Sequence, residues 1–401
     1  MSIIDMLNDD NIWLKYLDYK KKQVSMSKFE IKRLEDYIIN KEYKNIVNKI
    51  INNNYCFSIP SKHLINKINK EKKRVVYTFN NDENMVLKII TYLFTKEYDY
   101  IYSDNCYSFR RNKGIKNAIR KIINYKGIHK LYGYKIDISN YFNSIDIDIM
   151  ISLFKEYVND EKLVKYISDL LMNNKVLFNN QIIEEKKGIM AGTPIAAFLS
   201  NIYLKELDEY FKKNNILYFR YADDIIFFTE KDKFEIYVDK LNEYICNYKL
   251  SINSDKVQII KPKDRFDFLG FGFEKNNIDI SKISLKKIKG KIKRSSKKIR
   301  RWKTNKNVDN EKAMKVMIKK YNRKFFQIEN KDGLTWALWY FPIINVTNSL
   351  KIIDNYLQQS IRYISTGKYN KKNYNIRYTK LKEIGYKTLV NEYYNYKNNI
   401  L

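Results

Sequence analysis

Cysteine and histidine are nearly missing from this chain. Its three cysteines, Cys56, Cys106 and Cys246, lie far apart and make no metal-ligand pattern, which points to a reducing cytoplasm rather than a disulfide scaffold. Two histidines, His63 and His129, leave little room for imidazole metal sites or Ser-His-Asp catalysis. No charged-then-apolar leader opens the sequence and no apolar run reaches membrane-spanning length, so the expectation is a soluble, cytoplasmic protein without membrane partners. Glycine and proline are scarce while Lys, Asn, Ile and Tyr abound. An AT-rich coding sequence produces that same bias, so where the charges sit matters more than their sum.

Basic charge is what the chain has in excess: 76 Lys and Arg against 45 Asp and Glu, a formal charge of +31 in 401 residues. A protein that holds a polyanion carries such a footprint. Hydrophobic residues make up 44%, which excludes a mostly disordered chain. Residues 1–70 read as a polar helical extension that begins with an amphipathic helix. Strand-like periodicity starts at 74–79, and helices are expected at 85–94, 115–123, 146–158 and 233–248. Strands are expected at 131–138, 182–189 and 250–260, and an aromatic ribbon at 266–273. Gly192-Thr193-Pro194 reads as a helix start with Thr193 at the cap. Residues 285–303 hold eleven Lys or Arg and no acid, with Leu285, Ile288, Ile292, Ile299 and Trp302 on one helical face.

The chemistry concentrates at Tyr221-Ala222-Asp223-Asp224, two adjacent acids between strands at 217–220 and 225–229. Acids held side by side raise each other's pKa and call for a compensating cation, and hard carboxylate oxygens suit Mg²⁺. Asp137 closes an upstream strand, and Ile138 can add a backbone carbonyl. Carboxylates that bridge two ions about 3.5–4 Å apart serve in-line displacement at phosphorus.

In this order the segments resemble those of a reverse transcriptase, over roughly residues 74–273. The tetrapeptide is similar to the Tyr-x-Asp-Asp palm motif, and 135–146 to the block carrying the first metal-binding Asp. The resemblance implies that Asp137, Asp223 and Asp224 are catalytic and hold two Mg²⁺, with Mn²⁺ as a substitute, and that Ile138 joins them as a ligand. It implies that Phe142 excludes a ribose 2′-OH, that Lys73, Arg74, Arg110 and Thr193 meet nucleotide or template, and that Lys256 lies near the triphosphate as a proton donor. Phe268, Leu269 and Gly270 resemble a primer-grip ribbon. Lys289, Lys293, Arg294, Lys297, Arg300 and Arg301 then belong to a basic thumb that grips phosphates.

Ala191 stands where many relatives have glutamine. Ala191-Gly192-Thr193-Pro194, followed by Asn201-Ile202-Tyr203-Leu204, is similar instead to bacterial unknown-group and abortive-infection enzymes, many of which act against phage. Residues 363–368, 371–374 and 381–394 resemble the C-terminal region of such enzymes. Zinc-binding or nuclease-like additions of intron proteins, retron signatures and a Gly-Asp-Asp tip are absent from the sequence.

The resemblance implies an α+β right-hand fold: an N-terminal extension at 1–70, fingers and palm at 71–275, and a helical thumb and C-terminal region at 276–401. It implies RNA-directed DNA synthesis from deoxynucleotides on an RNA template, a noncoding RNA encoded nearby, with cDNA as product. Protein-primed or template-independent DNA synthesis, RNA-directed RNA synthesis and a non-catalytic RNA-binding scaffold are the alternatives.

Overall fold

The computed structural model describes residues 1–23, 26–66, 73–327 and 335–399. The chain divides into two compact units, Met1–Pro262 and Lys263–Leu401. The domain boundary expected at 70–71 lies outside the described residues. The one expected near 275 compares with a division at 262–263, because the ribbon pairs onward into a third strand and the helix that follows it.

Among the described residues eleven strands form three sheets in an α+β architecture. In chain order they are β1 Ser61–Asn66, β2 Lys73–Thr78, β3 Tyr132–Asp137, β4 Lys175–Phe178, β5 Gln181–Glu184, β6 Leu217–Tyr221, β7 Asp224–Thr229, β8 Gln258–Ile260, β9 Phe266–Phe268, β10 Phe271–Glu274 and β11 Asn277–Ile280. The central sheet runs β6-β7-β3-β8 with every pairing antiparallel. One face carries Tyr134, Ile136, Ile225 and Phe227. Phe227 packs against Phe211, Phe234 and Tyr237 of the helices Lys205–Lys213 and Lys231–Asn247. Side chains alternate along a strand, so Asp137 and Asp224 fall on the opposite face. On that face Gly133 yields its space to Phe228: a Cβ there would come within 2.7 Å of the ring.

Residues 1–66 depart from an all-helical reading. The expected N-terminal helix is two, Ile3–Met6 and Asp10–Lys21, because Asp9 caps the second by accepting from Asn11 N at 2.9 Å. Buried Asp160 ties the first helix down, accepting from Ser2 Oγ and Ile3 N at 2.6 and 2.8 Å. Residues 61–66 are a strand, β1, which β2 satisfies in antiparallel register from Ser61↔Thr78 to Asn66↔Lys73. The helix Glu161–Met172 was unexpected, although Leu163, Tyr166, Ile167 and Leu170 have helical spacing and are buried. The strand or ribbon expected at 182–189 is strand only as far as Glu184, where β5 pairs with β4 in a hairpin over 175–184. The strand expected over 250–260 shortens to β8, with a 3₁₀ turn at Ser254–Lys256 before it and a single bridge, Ile138↔Ile252.

In the second unit β9–β11 lead into the helix Lys282–Asn305, which packs with Asn310–Phe326 and Asn348–Thr366. Ile288, Ile292 and Ile299 are buried as the spacing predicts, Ser295 and Ser296 complete the seam, and Trp302 lies exposed at its end. Buried Asp354 accepts from Leu389 N and Val390 N at 2.8 and 3.1 Å and so caps the helix Leu389–Asn398. Among the described residues no helix is long and apolar enough to cross a membrane.

Candidate active site

Strands β6 and β7 pair from Leu217↔Phe228 to Tyr221↔Asp224, so Ala222 and Asp223 form a two-residue hairpin tip. Ala222 adopts the left-handed φ of +56° that such a tip demands. The register of β3 against β7 sets Asp137 directly opposite Asp224, and Ile138 N donates to Asp223 O at 3.1 Å, closing the tip onto β3. Opposed residues of an antiparallel pair have Cβ atoms roughly 4.5–5.5 Å apart, and like charges there repel.

Lys256 Nζ offsets part of that charge, lying 2.6 Å from Asp137 Oδ1. Burial, followed by the Asp137 and Asp224 charges, pushes the Asp223 carboxyl up to about 6 against the pull of Lys256. The repulsion that Asp137 and Asp224 exert on Asp223 favours a further cation. Among the described residues no three acidic, histidine or cysteine side chains enclose an ion by themselves, so main-chain and substrate oxygens would have to complete a metal shell. The Ile138 carbonyl fits such a role, since the bonds flanking its bridge run from Asn253 N to Asp137 O and from Ser139 N to Ser251 O.

A raised carboxyl pKa contributes stability that is complete below the unfolded value of about 3.9 and lost as pH rises through about 6. Asp223→Asn therefore raises the metal-free stability at pH 7.5 by on the order of 1–2 kcal/mol, and the gain falls to about a third of that near pH 4.5. Urea unfolding with chelator at the two pH values checks this; an equal effect at both would assign the gain to another cause.

Phe142 is half-buried, with its ring edge-on to Tyr141 and Phe109 at 5.8 and 6.2 Å. Its carbonyl accepts from Ile189 N at 3.0 Å. Gly188, at φ +54°, passes so close to the 142–143 backbone that a Cβ would lie 2.3 Å from Phe142 O. Phe109, also at positive φ and 42% exposed, lies 6.0 Å from the Tyr221 ring. Sequence reasoning did not single out Phe109, and a left-handed phenylalanine leaves no sequence signal.

Lys73 and Arg74 are both exposed on β2, but on opposite faces. Arg74 shares its face with Val76, whose Cβ lies 3.1 Å from where a Cβ of Gly192 would stand, while Lys73 faces the other way with Tyr77. Ala191 makes a backbone contact, its carbonyl accepting from Tyr77 N at 2.8 Å. That bond needs no glutamine side chain.

Three expected ligand-binding residues are turned to structural work. Arg110 bonds Asp99 through Nε and a terminal nitrogen, at 3.0 and 2.8 Å, and donates to Ser103 O at 2.8 Å, with its side chain 6% exposed. It holds the 99–106 loop. Thr193 is buried and donates to Met190 O at 2.9 Å, closing the turn, and Ile195 takes the cap of the helix Ala196–Tyr203. Arg300 donates to Ile364 O and Ser365 O at 2.9 and 2.6 Å, satisfying the last carbonyls of the helix Asn348–Thr366. Elsewhere on the basic helix Lys293, Arg294, Lys297 and Arg301 are exposed, and Lys289 stands 5.0 Å from the Tyr356 ring. In the ribbon Phe268 is buried, whereas Leu269 and Gly270 form the tip at φ +47° and +92°.

A buried ionic network under the hairpin was not foreseen. Arg220, fully buried, grips Asp208 by Nε–Oδ1 and terminal N–Oδ2 contacts of 2.7 and 2.5 Å and donates to Asn201 O at 3.1 Å. Tyr218 OH donates to Asp208 Oδ1 at 2.9 Å, and Asn201 exchanges bonds of 2.7 and 2.8 Å with Ser108. Backbone bonds from Arg220 N to Asn105 O and from Tyr107 N to Arg220 O anchor β6 next to its catalytic-motif end.

Residues 65–273 match the family described as reverse transcriptase (RNA-dependent DNA polymerase). The chain is 24% identical over 265 residues to a putative COX1/OXI3 intron 2 protein of Saccharomyces cerevisiae, covering 66% of this chain and 30% of that protein. It is 28% identical over 151 residues to the retron Ec83 reverse transcriptase of Escherichia coli, covering 34% and 47%. The chain thus spans less than half the length of these curated relatives. It is also similar to a structure of telomerase from Candida albicans in complex with a fragment of telomeric RNA, with a TM-score of 0.46 and 11% identity over 87% of this chain and 68% of that one. With the family match extending over more than half of its residues, this chain belongs to the reverse transcriptase family.

Proposed function

We propose that the chain is an RNA-directed DNA polymerase that joins deoxynucleotides at the Asp137–Asp223–Asp224 cluster. The observation that carries this is the cross-strand pairing of Asp137 with Asp224 beside a half-buried Asp223 whose charge is incompletely offset. Asp137 and Asp223, supported by Asp224 and the Ile138 carbonyl, would hold two Mg²⁺ or Mn²⁺ ions. Such ions activate the attacking oxygen and neutralise the leaving group in phosphoryl transfer. Lys256, already at Asp137, brings an ammonium to the place where a pyrophosphate departs and can give it a proton. Arg74 supplies positive charge on the strand face shared with Gly192, and Phe142, braced by Phe109, Tyr141 and Gly188, forms an unyielding wall for a sugar ring.

The bacterial setting, a cytoplasmic role in antiphage defence on a noncoding RNA template, belongs to the same reading. Its support is the Ala191-Gly192-Thr193-Pro194 block and the likeness to a retron enzyme of E. coli. Sequencing the nucleic acid that copurifies with the protein identifies template and product, and recovery of no cDNA would count against this setting.

Primer extension on an RNA template, with deoxynucleotides and ribonucleotides compared, tests the activity. Wild type prefers deoxynucleotides, and Phe142→Ala lowers that preference at least about tenfold, because filling or emptying such a pocket is worth roughly 1–3 kcal/mol. An unchanged ratio in the variant would remove Phe142 from sugar selection.

A further inference from the structure

The helix Asn310–Phe326 carries two stripes. Met314, Met317, Tyr321 and Phe325 are buried in the core of the second unit. Residues 315, 319, 322, 323 and 326, spaced at three and four, form one wall of a groove of about 490 Å³. The turn at 384–387 forms the other wall. Lys315, Lys319, Arg323 and Lys387 bring four cationic side chains to it, and among the described residues no acid lines it. The nearby Glu311 is engaged by Lys315 and Lys380, at 2.8 and 3.0 Å.

The groove is built rather than incidental. Asn322 Nδ2 donates to Gly385 O at 2.7 Å, locking the turn onto the helix. Gly385 takes φ +95°, and a Cβ there would meet nothing within 4 Å, so the turn leaves the mouth open. Tyr386 beside it is buried and donates to Asp354 Oδ1 at 3.1 Å, so Lys387 projects from a fixed turn. Buried Ile318 and Ile384 form the floor, and apolar surface comes from the half-buried ring of Phe326, which is itself edge-on to Phe325 at 5.9 Å.

We propose that this groove binds single-stranded nucleic acid, taking one unpaired nucleotide with its base on Phe326 and its phosphates against Lys319 and Lys387. Cations alone would suit any polyanion. A partly exposed ring beneath them suits a polyanion that also offers a planar face, and a duplex keeps its bases stacked away from such a ring. The site is separate from the exposed cations of the helix Lys282–Asn305. It rests on the reading that this chain handles nucleic acid, but not on catalysis at Asp223.

Fluorescence anisotropy of the full chain with a labelled single-stranded oligouridylate, and with a blunt RNA–DNA duplex, tests the proposal. Phe326→Leu, which keeps apolar volume, weakens oligouridylate binding about tenfold and leaves duplex binding within about twofold. Lys319→Ala with Lys387→Ala lowers the salt slope for the single strand by about 1.4. Equal losses for both probes, or displacement of oligouridylate by polyglutamate unchanged in Phe326→Leu, would overturn base recognition. Circular dichroism of each variant confirms that it is folded, and deoxynucleotide incorporation on a short pre-annealed duplex stays at the wild-type rate. Loss of incorporation with intact oligouridylate binding would instead count against the proposed polymerase reaction while leaving the groove standing.

Discussion

Replacing Asp223 and Asp224 together by Ala lowers deoxynucleotide incorporation by at least about a thousandfold, a loss of roughly 4 kcal/mol of transition-state stabilisation. RNA binding in the same variant stays within about twofold of wild type, because the affinity comes from cations elsewhere on the chain. The expected size follows from geometry. Asp223 is placed at the hairpin tip with its backbone closed onto β3, and Asp137 faces Asp224 across the pairing. Among the described residues no group of three potential ligands encloses an ion by itself, so no second cluster stands ready to take over. Unchanged incorporation would refute the proposed polymerase reaction, and a parallel loss of RNA binding would show that the tip serves the fold rather than the chemistry.

Asp208→Ala destabilises the first unit by about 3–5 kcal/mol, because it strands the Arg220 guanidinium in a site with no access to solvent. The melting temperature falls by roughly 6–20 °C. Removing both charges with Arg220→Met and Asp208→Leu recovers most of the loss, since a buried ion pair and an apolar pair of similar volume differ little in stability. Calorimetry of both variants against wild type checks this; a neutral Asp208→Ala would mean that water reaches Arg220 in solution. The double variant also tests positioning. Arg220 is the residue before Tyr221, and its guanidinium ties β6 to Asn201 and Asp208. If that tie aligns the tip, the recovered fold still shows a reduced kcat with KM little changed.

The strands around the acids were legible from sequence because both are short, aromatic and β-branched, and because their polar residues fall at the ends. Arg110, Thr193 and Arg300 show where such reading stops. Each is a residue type that ligands favour, in a segment that resembles a ligand-binding one, yet each spends its donors on carbonyls or a carboxylate of its own chain. A sequence names donors without naming acceptors. Strand β1 was missed for a related reason: Ser61–Asn66 has little apolar alternation of its own, and it is a strand because β2 is there to pair with it.

What the sequence determined by itself was the chemistry available: three acids at strand ends, a phenylalanine five residues beyond the first, a lysine downstream, and a strongly basic helix. Periodicity and local turn preference encode the acids and the basic helix, because they depend on neighbours along the chain, whereas the phenylalanine and the lysine stand out only by resemblance to the family. The tertiary structure alone decided which acid faces which, that Lys256 meets Asp137 across 119 residues of chain, that Arg220 is buried on Asp208, and that Phe109 braces Phe142. Those depend on strand register and on close approach between distant segments, where one residue of slippage turns a side chain to the other face of the sheet.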